Sequence, residues 1–193
     1  TGTSLWVDGK YELVVVLLTT RTRFEPPGRV ATLRRDIHRV LRAAVLKRPK
    51  QRIRVGLDEL VKKRFAPLAG RKIGLITNHT AVDSRGRWIV DHLLAAKNLS
   101  LRVVFAPEHG LRAKLDKHLK DGVLARGGHK IPVYSLYGKR KRPHASSLAD
   151  IDVLVFDIQT VGVRYYTYLA TMAWAMEEAA KRGIRFIVLD RPN

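Results

Sequence analysis

The sequence predicts an α/β protein: a mostly parallel, doubly wound sheet with helices on both faces, preceded by a β-hairpin and a helix. Three observations point there. Past residue 50, short apolar runs alternate with segments whose apolar residues recur at helical spacing. Runs such as "KIGLIT" and "VLVF" are almost wholly apolar, as strands covered on two sides require. Polar residues of reactive type stand where four of these runs end.

The elements follow in order. Residues 4–8 (SLWVD) and 12–19 (ELVVVLLT) read as two strands around Asp8-Gly9-Lys10, and Asp-Gly is a strong hairpin signal. "RTRFEPPGR" is a loop, because paired prolines and a glycine continue neither strand nor helix. From Val30 to Leu46, Leu33, Ile37, Val40, Leu41, Ala44 and Val45 recur at helical spacing. "LKRPKQR" then breaks the pattern, which places a boundary near residue 50 and divides the chain into 1–50 and 51–193. A helix fits Leu57–Phe65, and the strand "KIGLITN" follows. A helix over Trp88–Lys97 leads to the strand Leu101–Phe105. "IPVYSLYG", the strand Val153–Phe156, a helix from about Tyr166 to Lys181 and the strand Ile184–Leu189 complete the alternation.

Composition narrows the functional classes. At 46% hydrophobic over 193 residues, the chain can fill a core of ordinary size. Without cysteine it has no disulfide, thiolate metal site or cysteine nucleophile. The longest apolar run, Leu13–Leu18, is far too short to span a bilayer. "TGTSLW" reads as mid-domain sequence rather than a signal peptide, so the chain is expected to be a piece of something longer. The net charge of +20 is spread over the whole chain and attracts polyanions in general. The cluster from Arg112 to Arg142 holds ten Lys/Arg against two Asp. It carries no RNA-binding signature, so a nucleic-acid partner rests on charge alone. Leu111, Leu115 and Leu119 suit a short amphipathic helix inside it, and Lys139–Arg142 suits a solvated loop.

Ligands of parallel α/β sheets bind outside the carboxyl ends of the strands. Here those ends carry Asn78-His79, Glu108-His109, Asp157 with Gln159, and Asp190-Arg191. Neighbouring parallel strands would bring all four to one rim. Asp and Asn also serve at strand ends as turn formers and helix caps, but Glu and His cap poorly. Gly110 suggests a tight turn that exposes the Glu108-His109 pair. That pair suits acid/base work, a sugar-hydroxyl clamp or half of a metal site. The seven histidines are scattered without HxH or HxxxH spacing, so no metal is expected. Neither GxSxG nor GxGxxG occurs, so neither a serine elbow nor a dinucleotide follows, and no cofactor is expected. Beyond the third rim segment, Arg164 suits a substrate carboxylate, and Tyr165 and Tyr166 suit stacking on a sugar face. Tyr168, Met172 and Met176, spaced by four, suit core packing.

Six stretches, "VGLDEL", "KIGLITNHTAVD", "FAPEHGLR", "IPVYSLYG", "DVLVFDIQTVGVRYYTYLATMAWAME" and "FIVLDRPN", carry a resemblance over residues 54–193. In this order they resemble the peptidoglycan exo-β-N-acetylmuramidases of the NamZ type. The resemblance implies a Rossmann-like N-terminal domain, a smaller C-terminal domain beyond Asn193, and an active-site cleft between them. It also implies release of N-acetylmuramic acid from non-reducing ends of peptidoglycan fragments, and a periplasmic or secreted location. Thr160 stands where the family usually has an acid, and Ala113 where it usually has Gly. Residues 1–46 resemble the last two strands and closing helix of serine β-lactamase or penicillin-binding-type esterase domains. The SxxK and Tyr motifs of that family are absent from them, so no hydrolase chemistry is expected there.

Glycoside hydrolysis needs a carboxylic acid for the leaving oxygen and a second carboxylate as base or nucleophile. In this reading Glu108 is the acid, and His109 orients it or binds a hydroxyl. Asp157, Asp190 and a group of the C-terminal domain are the candidates for the second carboxylate. Asn78 and His79 contact the sugar or its N-acetyl group. Arg164 or Arg191 pairs with the lactyl carboxylate. Gln159, Tyr166, Asp190 and Asn193 complete the expected binding set. A non-catalytic cell-wall binding module is the other class these features allow.

Overall fold

The computed structural model of the chain describes residues 4–8, 13–17, 32, 35–37, 39–40, 43, 54–112, 121–138, 140–160, 162 and 167–192. The chain divides into two units, Thr1–Arg52 and Ile53–Asn193. In the first, β1 (Ser4–Asp8) and β2 (Leu13–Leu17) pair antiparallel, with Asp8 opposite Leu13. The described residues between 32 and 43 are helical.

The second unit is built on a six-stranded sheet. Its strands are β3 (Lys72–Thr77), β4 (Ser100–Ala106), β5 (Gly122–Arg126), β6 (His129–Ser135), β7 (Val153–Asp157) and β8 (Arg185–Val188), in the order β5-β6-β4-β3-β7-β8. Every neighbouring pair is parallel except β5 with β6. The connection after β3 runs toward β4 and the one after β7 runs toward β8. The two connections diverge between β3 and β7, which makes their carboxyl ends the switch point where ligands of such sheets bind.

Three α-helices are described in this unit: α1 (Gly56–Lys62), α2 (Ile89–Ala95) and α3 (Tyr168–Ala180). Strand alternation sends side chains to two separate cores. Ile73, Leu75, Val104, Val153 and Val155 pack with Leu57 and Leu60 of α1 and Ile89, Val90 and Leu93 of α2. Ile76, Val103, Phe105, Leu154 and Phe156 pack on the opposite face with Tyr168, Ala175 and Ala179 of α3. This is the doubly wound, Rossmann-like arrangement. At Gly74 of β3 a side chain would meet Ile151 Cδ1 at 2.7 Å, so the second core closes onto bare backbone there.

Three details depart from the sequence reading. β5 and β6 form a hairpin through Gly127-Gly128, both with positive φ, inside the basic segment that had shown no strand signal beyond "IPVYSLYG". Two consecutive positive φ values suit a tight hairpin turn, and glycine supplies them without strain. Met176 is 44% exposed, whereas Tyr168 and Met172 do pack into the second core. Arg140 and Arg142 are anchored rather than freely solvated. Arg140 pairs with Asp121 at 2.7 Å, and Arg142 pairs with Glu177 and lies over Trp174. The amphipathic pattern at Leu115 and Leu119 and the departure at Ala113 lie outside the described residues.

Candidate active site

Because β4, β3, β7 and β8 are consecutive and parallel, their four polar ends share one rim. Thr77 and Asp157, the last residues of β3 and β7, are direct register partners. The Thr77 hydroxyl donates to the Asp157 carbonyl at 3.0 Å, tying the two ends together.

The rim has an inner and an outer layer. Asp157 and Arg191, expected as separate contacts to substrate, meet each other instead. Arg191 Nε and Nη2 donate to the two Asp157 oxygens at 2.5 and 3.0 Å, and Nη1 donates to the Val82 carbonyl at 3.0 Å. The Asp157 side chain is fully buried and that of Arg191 is 5% exposed. Burial pushes the Asp157 carboxyl above its ordinary range, against the pull of the Arg191 guanidinium. Asn78 is also spent internally. Its Oδ1 accepts from Thr80 N and Thr80 Oγ1, its Nδ2 donates to Tyr168 Oη at 3.1 Å, and it is 1% exposed. Its carbonyl accepts from the Trp88 indole at 2.8 Å. The first part of "NHTAVD" is thus a braced turn, in which an Asn side chain replaces a backbone partner.

Asp83 closes the same loop. It accepts from the Arg85 and Arg87 amides and contacts His92 Nε2 at 2.9 Å. Burial raises its pKa, but the Arg87 amide, the His92 ring and the Arg85 amide outweigh that and hold it below its ordinary value. Past β8, Gly56 N donates to the Asp190 carbonyl at 2.7 Å. A Cβ at Gly56 would lie 2.6 Å from Asp190 N, so only glycine lets α1 approach this segment.

The outer layer carries the groups that solvent reaches. His79 and Asp190 are exposed, and Glu108, His109 and Gln159 are half-buried. Gln159 Nε2 donates to the Thr160 and Pro192 carbonyls, bridging the ends of β7 and β8. Glu108-His109 occupies the centre of a four-residue turn, in which Gly110 N donates to the Pro107 carbonyl at 2.9 Å. His109 holds φ = 67°, a conformation that ordinary L-residues avoid and glycine accepts. A strained non-glycine residue at a strand-end turn is a mark of functional sites. Glu108 Oε2 accepts from Thr167 Oγ1 at 2.5 Å, a contact the sequence did not announce. Arg164, Tyr166 and Asn193 lie outside the described residues.

No cluster of three or more His, Asp or Glu that could hold a metal occurs among the described residues. No helix among them is long and apolar enough to cross a membrane. A groove of about 500 Å³ lined by Ser100, Arg102, Lys130 and Asp150 opens at the amino end of β4, opposite Glu108. Its Arg102 already pairs with Asp150, so volume alone does not locate the chemistry.

Comparison with known proteins identifies the family of the second unit. The family model described as "Exo-beta-N-acetylmuramidase NamZ, N-terminal" matches residues 73–193. The peptidoglycan beta-N-acetylmuramidase NamZ of Bacillus subtilis (strain 168) is 44% identical over 144 residues, which are 75% of this chain and 35% of that protein. Two crystal structures of DUF1343 family proteins from Bacteroides fragilis NCTC 9343 share the fold. One has a TM-score of 0.66 at 44% identity, covering 75% of this chain and 36% of that one. The other has a TM-score of 0.59 at 31% identity, covering 72% and 35%. The chain thus spans about a third of the length of these relatives.

Proposed function

Because this chain belongs to the family of NamZ-type exo-β-N-acetylmuramidase N-terminal domains, we propose that it supplies the acid-bearing wall of a glycosidase cleft that releases N-acetylmuramic acid from peptidoglycan fragments. The observation that carries this reading is the convergence of Glu108, His109, His79 and Asp190 on one solvent-facing rim at the switch point of the sheet. Glu108 gives its proton to the glycosidic oxygen as the bond to the sugar breaks. His109 orients the acid or holds a sugar hydroxyl.

Of the two candidates for the second carboxylate within this chain, Asp190 fits better, because it is exposed while Asp157 is buried and paired. Asp157 and Arg191 act as an internal brace, and Asn78 braces the first loop. Arg164 remains the candidate partner for the lactyl carboxylate. A further domain completes the cleft, and residues 1–50 belong to a separate β-lactamase-like unit outside it.

The test is release of N-acetylmuramic acid from a chromogenic β-muramide by the full-length protein, cleft-completing domain included, and by its Glu108→Gln variant. Turnover by the first and loss in the second supports the reading. Binding of muramic acid glycosides with no product from either would replace hydrolysis by a wall-binding role.

A further inference from the structure

The amino end of α3 breaks a local rule. Thr167 stands at the N-cap of the helix, where a threonine hydroxyl ordinarily accepts from a backbone N–H of the first turn. Here it makes no cap bond, because Thr167 already has helical angles, φ −71° and ψ −15°. The hydroxyl instead donates to Glu108 Oε2 at 2.5 Å, across 59 residues of sequence. The backbone carbonyl of Thr167 is held in turn by the Thr171 amide at 3.0 Å and the Thr171 hydroxyl at 3.2 Å.

The next residue reaches the same segment. Tyr168, 4% exposed, accepts from Asn78 Nδ2 at 3.1 Å and donates to the Glu108 carbonyl at 3.4 Å. One helix start therefore holds both the side chain and the backbone of Glu108, while anchoring itself on the end of β3.

We propose that Thr167 is the positioning residue for Glu108, holding Oε2 so that Oε1 faces the glycosidic oxygen. Tyr168 keeps the Glu108 backbone in register with that hydroxyl. The proposal rests on the reading of Glu108 as the acid. A carboxyl on a half-buried turn has rotational freedom that one fixed oxygen removes, and fixing a reacting group before the reaction is a large source of rate.

The experiment compares Thr167→Val, which keeps shape and removes the hydroxyl, with Thr167→Ser, which keeps the hydroxyl. Chromogenic β-muramide is the substrate, Glu108→Gln is the control, and crystal structures of both Thr167 variants are determined. The expected result for Thr167→Val is a fall in kcat of about 10- to 100-fold with KM within about twofold. Thr167→Ser should recover most of kcat. In the Thr167→Val crystal the Glu108 carboxyl should leave its position, and in Thr167→Ser it should stay.

An unmoved Glu108 in Thr167→Val overturns the proposal, whether or not the chain turns over. So does wild-type kcat in Thr167→Val when Glu108→Gln is dead. Wild-type turnover by Glu108→Gln instead refutes the reading of Glu108, and the crystals alone then decide whether Thr167 positions it.

Discussion

The turn at Pro107–Gly110 predicts an inverted order of stability between two small residues. At ordinary φ, Ala stabilises a protein over Gly by about 0.4–1 kcal/mol, because the unfolded glycine chain has more freedom to lose. At position 109 φ is 67°. A Cβ in that conformation costs roughly 1–2 kcal/mol. The difference leaves His109→Gly more stable than His109→Ala by about 1 kcal/mol. Comparing the two variants with each other removes the imidazole from the comparison, since both lack it. For a chain of this size, 1 kcal/mol is about 2–4 °C in Tm. Thermal melts and urea titrations of both variants measure the gap. If His109→Ala melts at or above His109→Gly, the turn does not store strain and the argument fails. If the gap appears and both variants lose muramide hydrolysis, His109 is retained for its ring despite a backbone that favours glycine.

Other outcomes follow from the inner layer of the rim. Arg191→Leu strands the Asp157 carboxylate and should cost about 3–5 kcal/mol at neutral pH, read by urea unfolding. Asp157 already has a folded pKa above its unfolded value, and losing Arg191 raises it further. The folded variant therefore holds a proton that the unfolded chain releases near pH 3.9. Its stability rises as pH falls toward that value and drops as pH rises through the folded pKa, so its deficit against wild type should shrink on acidification. A deficit independent of pH would show that Asp157 is not the stranded group. Gly56→Ala drives a Cβ into the Leu189–Asp190 backbone and should cost about 1–3 kcal/mol, with loss of activity if Asp190 acts in the cleft. A melt unchanged from wild type would mean that this contact relaxes freely. Tyr168→Phe leaves the Asn78 amide without its partner at a buried site, an expected loss of about 1–3 kcal/mol in equilibrium unfolding.

The layout of the second unit was legible in the sequence because buried parallel strands leave a plain trace. "KIGLIT" and "VLVF" are apolar at every position that a helix covers, on both faces. The β5–β6 hairpin was harder to read. Most of β5 is exposed, so its residues show no alternation, and the lysines and arginines around it mask the Gly127-Gly128 turn signal. The rim was legible as a set of polar strand ends, and the order of the strands in the sheet is what gathers them on one edge. Which members face outward was not. Asn78, Asp157 and Arg191 are polar residue types in positions where His79, Glu108 and Asp190 are polar too, and nothing local distinguishes the two groups.

The sequence by itself determined the residue types at each strand end and the family to which the chain belongs, because these depend on hydrophobic period and on motifs contiguous in the chain. Only the tertiary structure decided the division of labour. The Asp157–Arg191 pair spans 34 residues, Thr167–Glu108 spans 59 and Asn78–Tyr168 spans 90. Whether a carboxylate is spent on an internal partner or left facing solvent depends on which distant side chain the fold delivers within about 3 Å, and sequence spacing does not encode that distance.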